Sequence, residues 1–325
     1  MLKRKPDHVE AQANLGVVLA RMGKTDEAII AYETALKLAP HLTPIYLNLG
    51  ILYFRINEFE KAINTFDKFL ETNPSHLQAR QLLGLSLVEI SYNTAAIEQL
   101  VPTLAVAPND PAILYSLGLA YIRTNQLKEA EGLIQKLAVL PTGLAVSHLL
   151  KGQLQLARFE FEKAIIDLKK AGELNPELPR LHYSIGLCYY KLGLNKAGLS
   201  AFEAEVKQRP KDFTTLYYLA LLHEAEGNLD PAKQYVDLAL AMQPNSVEVI
   251  TILGKVLSRQ GKNAEAAIAI EKAVAQDPKD SLKHYLLGKI YRELGRRDDS
   301  NREFNEARRL KAEETQTDRN KPAKP

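Results

Sequence analysis

One pattern recurs nine times in this chain at a fixed spacing of 34 residues, beginning at Val9, Thr43, Leu77, Pro111, Ala145, Pro179, Phe213, Val247 and Ser281. Most copies open with an apolar residue followed by glycine: Leu15-Gly16, Leu49-Gly50, Leu83-Gly84, Leu117-Gly118, Ile185-Gly186, Leu253-Gly254 and Leu287-Gly288. Twelve residues after that glycine stands a small residue, usually alanine (Ala28, Ala62, Ala96, Ala130, Ala164, Ala232, Ala266). A further twelve residues on comes proline, at Pro40, Pro74, Pro108, Pro176, Pro210, Pro244 and Pro278. A period of this length specifies a stack of similar units, and a stack offers surfaces rather than a catalytic cleft.

The copy from Thr43 to His76 shows what each unit folds into. Tyr46, Leu49, Gly50 and Tyr53 fall on one helical stripe. Asn57-Glu58 interrupts it, and Phe59, Ala62, Ile63, Phe66 and Leu70 form a second stripe. Asn73-Pro74 then stops the chain, because proline lacks the next backbone donor and restricts the residue before it. Each unit therefore reads as helix A, tight turn, helix B, short loop. Gly23, Gly193, Gly227, Gly261 and Gly295 fit the end of helix A, where a left-handed residue caps well. The signature glycine and alanine are both small and are expected to face each other, letting the two helices approach closely.

These residues resemble the tetratricopeptide repeat: apolar-Gly, an aromatic or Leu three residues on (Tyr53, Tyr121, Tyr189, Tyr291), Ala, Phe or Tyr (Tyr32, Phe66, Phe202, Phe304), Ala, Pro. The resemblance covers residues 9–314, read as nine units: 9–42, 43–76, 77–110, 111–144, 145–178, 179–212, 213–246, 247–280 and 281–314. It implies an all-α solenoid, a right-handed superhelix whose A helices line a concave groove that binds a peptide segment of a partner. Several copies depart from the pattern. Ala220 replaces the glycine, Gly198 and Ser300 replace the alanine, Lys151 precedes Gly152, and Pro141 comes one residue early. Local irregularity is expected over Val139–Leu150, with a bend between the fourth and fifth copies.

Composition narrows the function. Net charge is +3, too little clustered cation to displace phosphate counterions, so nucleic acid is not an expected partner. From Ser281 onward there are 12 Lys/Arg against 8 Asp/Glu, so the basic excess is C-terminal. The single cysteine, Cys188, excludes a disulfide scaffold and is compatible with cytoplasm or periplasm. No run of about 18 uncharged apolar residues exists, so no membrane insertion is expected.

The ends carry their own expectations. Residues 1–8 align with the tail of a preceding helix B, Leu2, Lys3 and Pro6 matching Leu36, Lys37 and Pro40. They read as the remnant of another repeat, or as a short N-terminal arm. A remnant would leave an uncovered N-terminal face open to self-association. It would also allow the chain to be the docking portion of a larger enzyme, such as a glycosyltransferase, or of a secretion or envelope-assembly factor. Residues 315–325 are polar, contain two prolines, and are expected to be disordered.

Motifs that suggest chemistry are incomplete. Gly23-Lys24-Thr25 lacks the earlier glycine of a P-loop, because Val18 stands there. His223-Glu224 lacks the second histidine of a zinc-protease helix, because Gly227 occupies its place. His148 and His182, one repeat apart, supply two ligands and no third. Cys188 falls on a core position. No cofactor, metal or catalytic residue is assigned.

The candidate site is a second stripe on the A helices, turned about 100° from the core stripe. It comprises Leu47, Ile51, Phe54 and Arg55; Tyr115, Leu119 and Arg123; Tyr183, Leu187, Tyr190 and Lys191; Tyr217 and Leu221; then Lys255, Arg259, Lys289 and Arg292. The third and fifth copies add Val88 and Leu149. The stripe runs from apolar-aromatic to basic. Burial between adjoining A helices explains part of it; an exposed apolar groove explains the rest and marks a partner site. The partner expected is a protein or peptide segment, apolar with some acidic residues. The family's carboxylate-clamp pattern would place Lys and Asn where this chain has Ala13/Val17, Leu47/Ile51 and Tyr115/Leu119. A clamp on a peptide C-terminus is therefore not expected.

Overall fold

Residues 8–319 are described by the computed structural model, and they form eighteen α-helices with no strand among them. In chain order the hairpins are α1 (Val9–Arg21) with α2 (Thr25–Leu38), α3 (Thr43–Arg55) with α4 (Phe59–Leu70), and α5 (Leu77–Glu89) with α6 (Asn93–Val106). There follow α7 (Pro111–Arg123) with α8 (Leu127–Ala138), α9 (Leu144–Ala157) with α10 (Phe161–Leu174), and α11 (Leu181–Lys191) with α12 (Asn195–Gln208). The last are α13 (Phe213–Glu226) with α14 (Leu229–Met242), α15 (Val247–Arg259) with α16 (Asn263–Gln276), and α17 (Ser281–Glu293) with α18 (Arg297–Arg319).

The turn inside each hairpin is the same in all nine. The residue seven after the signature position has positive φ: Gly23, Asn57, Ser91, Asn125, Phe159, Gly193, Gly227, Gly261 and Gly295. The next amide reaches back to close the helix, as from Lys24 N–H to the Leu19 carbonyl at 3.0 Å and from Glu58 N–H to that of Tyr53 at 2.9 Å. Glycine adopts this conformation freely, whereas a residue such as Phe159 (φ 62°) does so at a cost of about 1–2 kcal/mol. At the entry to helix A, short polar side chains accept the orphan amides. His8 accepts from Ala11, Asp110 from Ala112 and Ile113, Asp212 from Thr214 and Thr215, and Asp280 from Leu282 and Lys283.

The alanine position does face the signature glycine, an added Cβ on Gly152 lying 3.3 Å from the Ala164 carbonyl, but the glycine has a second task. It makes room for a bulky side chain sixteen residues later on helix B. An added Cβ on Gly16, Gly50, Gly186 or Gly288 would lie 2.6–2.9 Å from the ring of Tyr32, Phe66, Phe202 or Phe304, and on Gly254 within 2.4 Å of Ile270. Where Ala220 replaces the glycine, the facing residue shrinks to Val236, and both are fully buried. The small residue at the alanine position lies against the glycine's own backbone, an added Cβ on Gly198 being 3.5 Å from the Gly186 carbonyl. Ser300 donates its hydroxyl there to the Gly288 carbonyl at 2.8 Å.

The chain divides into two compact units, at Pro179/Arg180. Within each, helix B packs on both its own helix A and the next, and successive A helices touch side by side, as in α5–α7–α9 and α13–α15–α17. Each unit is an all-α solenoid of stacked hairpins. The division falls one repeat later than the junction singled out from sequence. There, Pro179 and the left-handed Arg180 (φ 56°) delay α11 to Leu181. The fourth-to-fifth junction is irregular in another way. An added Cβ on Gly143 would sit 2.1 Å from the Leu137 carbonyl, and Leu150 of α9 fills the space above Gly118.

α18 continues to Arg319, so residues 315–319 are helical, against the expectation of disorder from residue 315. Ala312, Glu313, Glu314 and Gln316 favour helix, and Arg309–Glu313 (2.6 Å) adds an i,i+4 ion pair. The expectations for residues 1–7 and 320–325 lie outside the described residues.

Candidate partner-binding surface

In the first unit the second stripe is half-buried, neither sealed nor free. Leu47, Ile51 and Phe54 on α3 and Leu119 on α7 pack against the core along one flank, while Val88 and Leu149 are fully covered between A helices. Phe54 meets Phe59 edge-on at 5.9 Å. The Tyr115 hydroxyl accepts from Gln153 Nε2 at 3.3 Å. Arg55 is exposed. Arg123 does other work: its Nη1 donates to the Val88 carbonyl at 2.7 Å, capping the end of the preceding A helix.

In the second unit the stripe gathers into an aromatic cluster. Its hub is Tyr218, two residues before Ala220. Phe202 lies parallel to it at 5.1 Å, and Tyr190 and Tyr217 also approach to 5.1 Å. Tyr183 stands edge-on to both Phe202 and Tyr218, at 5.8 and 6.1 Å. Leu187 and Tyr190 join the same cluster, and Leu221 flanks the neighbouring one. The Arg180 guanidinium sits 4.1 Å over the Tyr183 ring while paired with Asp212 at 2.9 Å. Lys191 lies 5.7 Å from the Tyr190 ring. Burial, then the neighbouring tyrosines, pushes the Tyr218 hydroxyl up to about 12, and burial raises Tyr217 too. These hydroxyls are therefore neutral at physiological pH, each able to donate and accept. Sequence reasoning named Tyr183, Tyr190 and Tyr217 but missed Tyr218 and Phe202; the Tyr217-Tyr218 doublet was the available signal.

The basic members lie farther along the same unit. Lys255, Ser258, Arg259 and Lys289 edge a cleft of about 270 Å³ over Ile270, Leu286 and Ile290. Lys255 is half-buried, and Arg259, Lys289 and Arg292 are exposed. Arg259 repeats what Arg123 does. Its Nη1 donates to the Glu224 carbonyl at the end of α13 and to Glu224 Oε1 at 3.0 Å.

The other residues singled out from sequence are held in structural roles. His148 Nδ1 lies 2.8 Å from Asp167 Oδ1, and Lys151 and Gln155 donate to the same carboxylate. Arg80–Gln99 (3.0 Å) and His284–Glu303 (2.6 Å) occupy the same two repeat positions, so this is a recurring A-to-B tie. His223 is buried, stacked on Tyr235 at 5.5 Å, and desolvation lowers its pKa. Cys188 is fully buried, which pushes its thiol up to about 12. Among the described residues no group of three His, Cys, Asp or Glu is placed to hold a metal ion. No described helix is long and apolar enough to cross a membrane.

The chain is similar to proteins named as members or subunits of complexes. It is 25% identical over 257 residues to the BBSome complex member BBS4 of Bos taurus, covering 79% of this chain and 49% of that protein. It is 23% identical over 280 residues to anaphase-promoting complex subunit 3 of Schizosaccharomyces pombe, covering 86% and 42%. The chain thus spans less than half the length of these relatives. Among solved structures, the human IFIT1 dimer with m7Gppp-AAAA superposes with a TM-score of 0.60 at 19% identity, over 92% of this chain and 81% of that one. The APC/C hetero-tetramer Cut9–Hcn1 does so at 0.61 and 14%, over 89% and 56%. At these identities the likeness is one of fold. Family models described as tetratricopeptide repeat match residues 7–75 and, in a second model, 82–141, 183–247 and 252–314, and a TPR repeat model matches 152–193. With its 34-residue period, its hairpins and these matches, the chain belongs to the tetratricopeptide repeat family.

Proposed function

We propose that the chain is a non-enzymatic scaffold that binds a helix or extended segment of a protein partner along its A-helix faces. The observation that carries this is the aromatic cluster of the second unit, with Tyr183, Leu187, Tyr190, Tyr217 and Leu221 all half-buried and Arg180 and Lys191 beside Tyr183 and Tyr190. Such a surface buries a partner's apolar side chains at little ordering cost, because its rings are already held by their neighbours. The neutral phenol hydroxyls offer donors and acceptors to a peptide backbone. Lys255 and Lys289 suit acidic residues flanking the apolar anchors. The family membership and the relatives named as complex members support a role in protein assembly.

The test is affinity capture with the full chain against a Tyr183→Ser/Leu187→Ser/Tyr190→Ser variant, with far-UV circular dichroism confirming retained helix. Loss of specific partners from the variant is expected. Retention of the same partners at the same yield would place binding elsewhere.

A further inference from the structure

We infer that the outer face of the last hairpin is a second docking site, and that it takes an acidic amphipathic helix of a partner protein. In the second unit, each hairpin is covered by the A helix that follows it: α15 lies on α13 and α14, and α17 on α15 and α16. On α17 and α18 no helix follows among the described residues, and the same face is an open groove of about 950 Å³. Its floor includes Leu282, Tyr285, Phe304 and Ala307. Leu282 and Tyr285 are about half exposed, at 52% and 49%. Phe304 is only half-buried, although Phe66 and Phe202 at its repeat position are fully buried. From Leu282 to Arg292 the groove follows eleven residues of α17, about 15 Å or nearly three helical turns.

The rim of this groove is cationic. Arg292, Arg308 and Lys311 line it, and none of them is in an ion pair among the described residues. The carboxylates of α18 point to other partners: Glu303 to His284, and Glu306 and Glu313 to Arg309. Glu314 meets Ser281 at one end of the groove, at 3.4 Å. An apolar floor whose rim carries three cations against one carboxylate matches a helix with a Leu or Phe stripe flanked by Glu or Asp. Self-pairing through this face would bring like charges together. Nucleic acid would satisfy the cations and stack on Tyr285 but would leave the exposed Leu282 without an apolar partner.

The probe is a fluorescein-labelled 15-residue synthetic peptide with Leu at i, i+3, i+4 and i+7 positions and Glu elsewhere, titrated by anisotropy with the full chain. A matched peptide carrying Lys in place of Glu, and a single-stranded RNA 10-mer, are titrated beside it. Saturable binding of the acidic peptide is expected, at least tenfold tighter than either control. An Arg308→Glu/Lys311→Glu variant with unchanged circular dichroism is expected to bind it at least tenfold more weakly. The Tyr183→Ser/Leu187→Ser/Tyr190→Ser variant is expected to bind it normally, which separates this site from the A-helix surface. Binding that ignores the Arg308/Lys311 charge reversal would overturn the proposal. So would tighter binding of the RNA, or a concentration-dependent dimer by light scattering that this reversal dissociates.

Discussion

Replacing Gly50 with alanine adds one methyl group to α3 and places it 2.7 Å from Cε1 and 2.8 Å from Cδ1 of Phe66. Carbon atoms rest about 3.5–4.0 Å apart, so the ring must retreat by about 1 Å. It has nowhere to go, because Phe66 is fully buried. Overpacking of this kind costs about 1–3 kcal/mol. Against it stands the helical preference of alanine over glycine, about 0.5–1 kcal/mol. A net loss of about 1–2 kcal/mol is expected, read as a lower urea midpoint by far-UV circular dichroism at unchanged slope. Gly198 is the internal control. Its added Cβ would lie 3.3 Å from Leu222 Cδ1, a side-chain end, and 3.5 Å from the Gly186 carbonyl. Seven other copies carry alanine there, so Gly198→Ala is expected to stabilise by about 0.5–1 kcal/mol.

The seventh copy supplies the second arm, since nature has placed alanine at residue 220 opposite valine at 236. In a Phe66→Val background, Gly50→Ala should become neutral or stabilising, giving a coupling of about 1.5–2 kcal/mol in the double-mutant cycle. If Gly50→Ala raises the midpoint as Gly198→Ala does, or if the cycle shows no coupling, the glycine is not kept for the ring and the packing argument fails.

Gly132 lies exposed inside α8 with nothing within 4 Å of an added Cβ, so Gly132→Ala should stabilise by about 1 kcal/mol in the same unfolding assay. Burial raises the Asp167 pKa, but bonds from His148, Gln155 and Lys151 outweigh it, and the net shift is downward. A depressed carboxylate stabilises the fold above its unfolded value of about 3.9 and loses that contribution as pH falls through the folded value. Asp167→Asn should therefore lower stability at pH 7 by about 1–3 kcal/mol and flatten the decline in unfolding midpoint below about pH 4. Cys188, fully buried and with its pKa near 12, should resist a thiol reagent at pH 8 until urea unfolds the chain; fast labelling of the folded protein would contradict its burial. Arg259→Ala removes the donor to the α13 carbonyl end and should cost about 1 kcal/mol, with faster amide exchange confined to the last turn of α13.

Much of the fold was legible because the repeat states each local rule nine times. The left-handed turn is announced by five glycines and by Asn57 and Asn125, which tolerate positive φ, and their period predicts the same conformation at Ser91 and Phe159, whose side chains give no hint of it. The second, bulky partner of the signature glycine was missed for a definite reason. Smallness at two positions suggests that they touch, but a gap on one helix is equally well filled by a large side chain on the other. The ring-bearing Phe66 and Phe202 were visible in the pattern without their direction being so. The A-to-B ties were missed because Gln99, Asp167 and Glu303 share a repeat position but not a chemistry.

The candidate surface was only half legible, and Arg123 and Arg259 show why. Both occupy a slot on the outer stripe of helix A, and both read as cations offered to a partner. The structure gives them to the carbonyl ends of α5 and α13. A solenoid asks the same stripe for two things, since each A helix must pack beside the next and also face outward. Residues on it are therefore neither core nor free surface. What distinguishes the binding members is whether their neighbours leave them unsatisfied. By that criterion Lys255 and Lys289, which edge the cleft of this surface and hold no ion pair among the described residues, are better anchors for an acidic partner than Arg123 or Arg259. Substituting the first pair should weaken capture with little change in stability, and substituting the second should do the reverse.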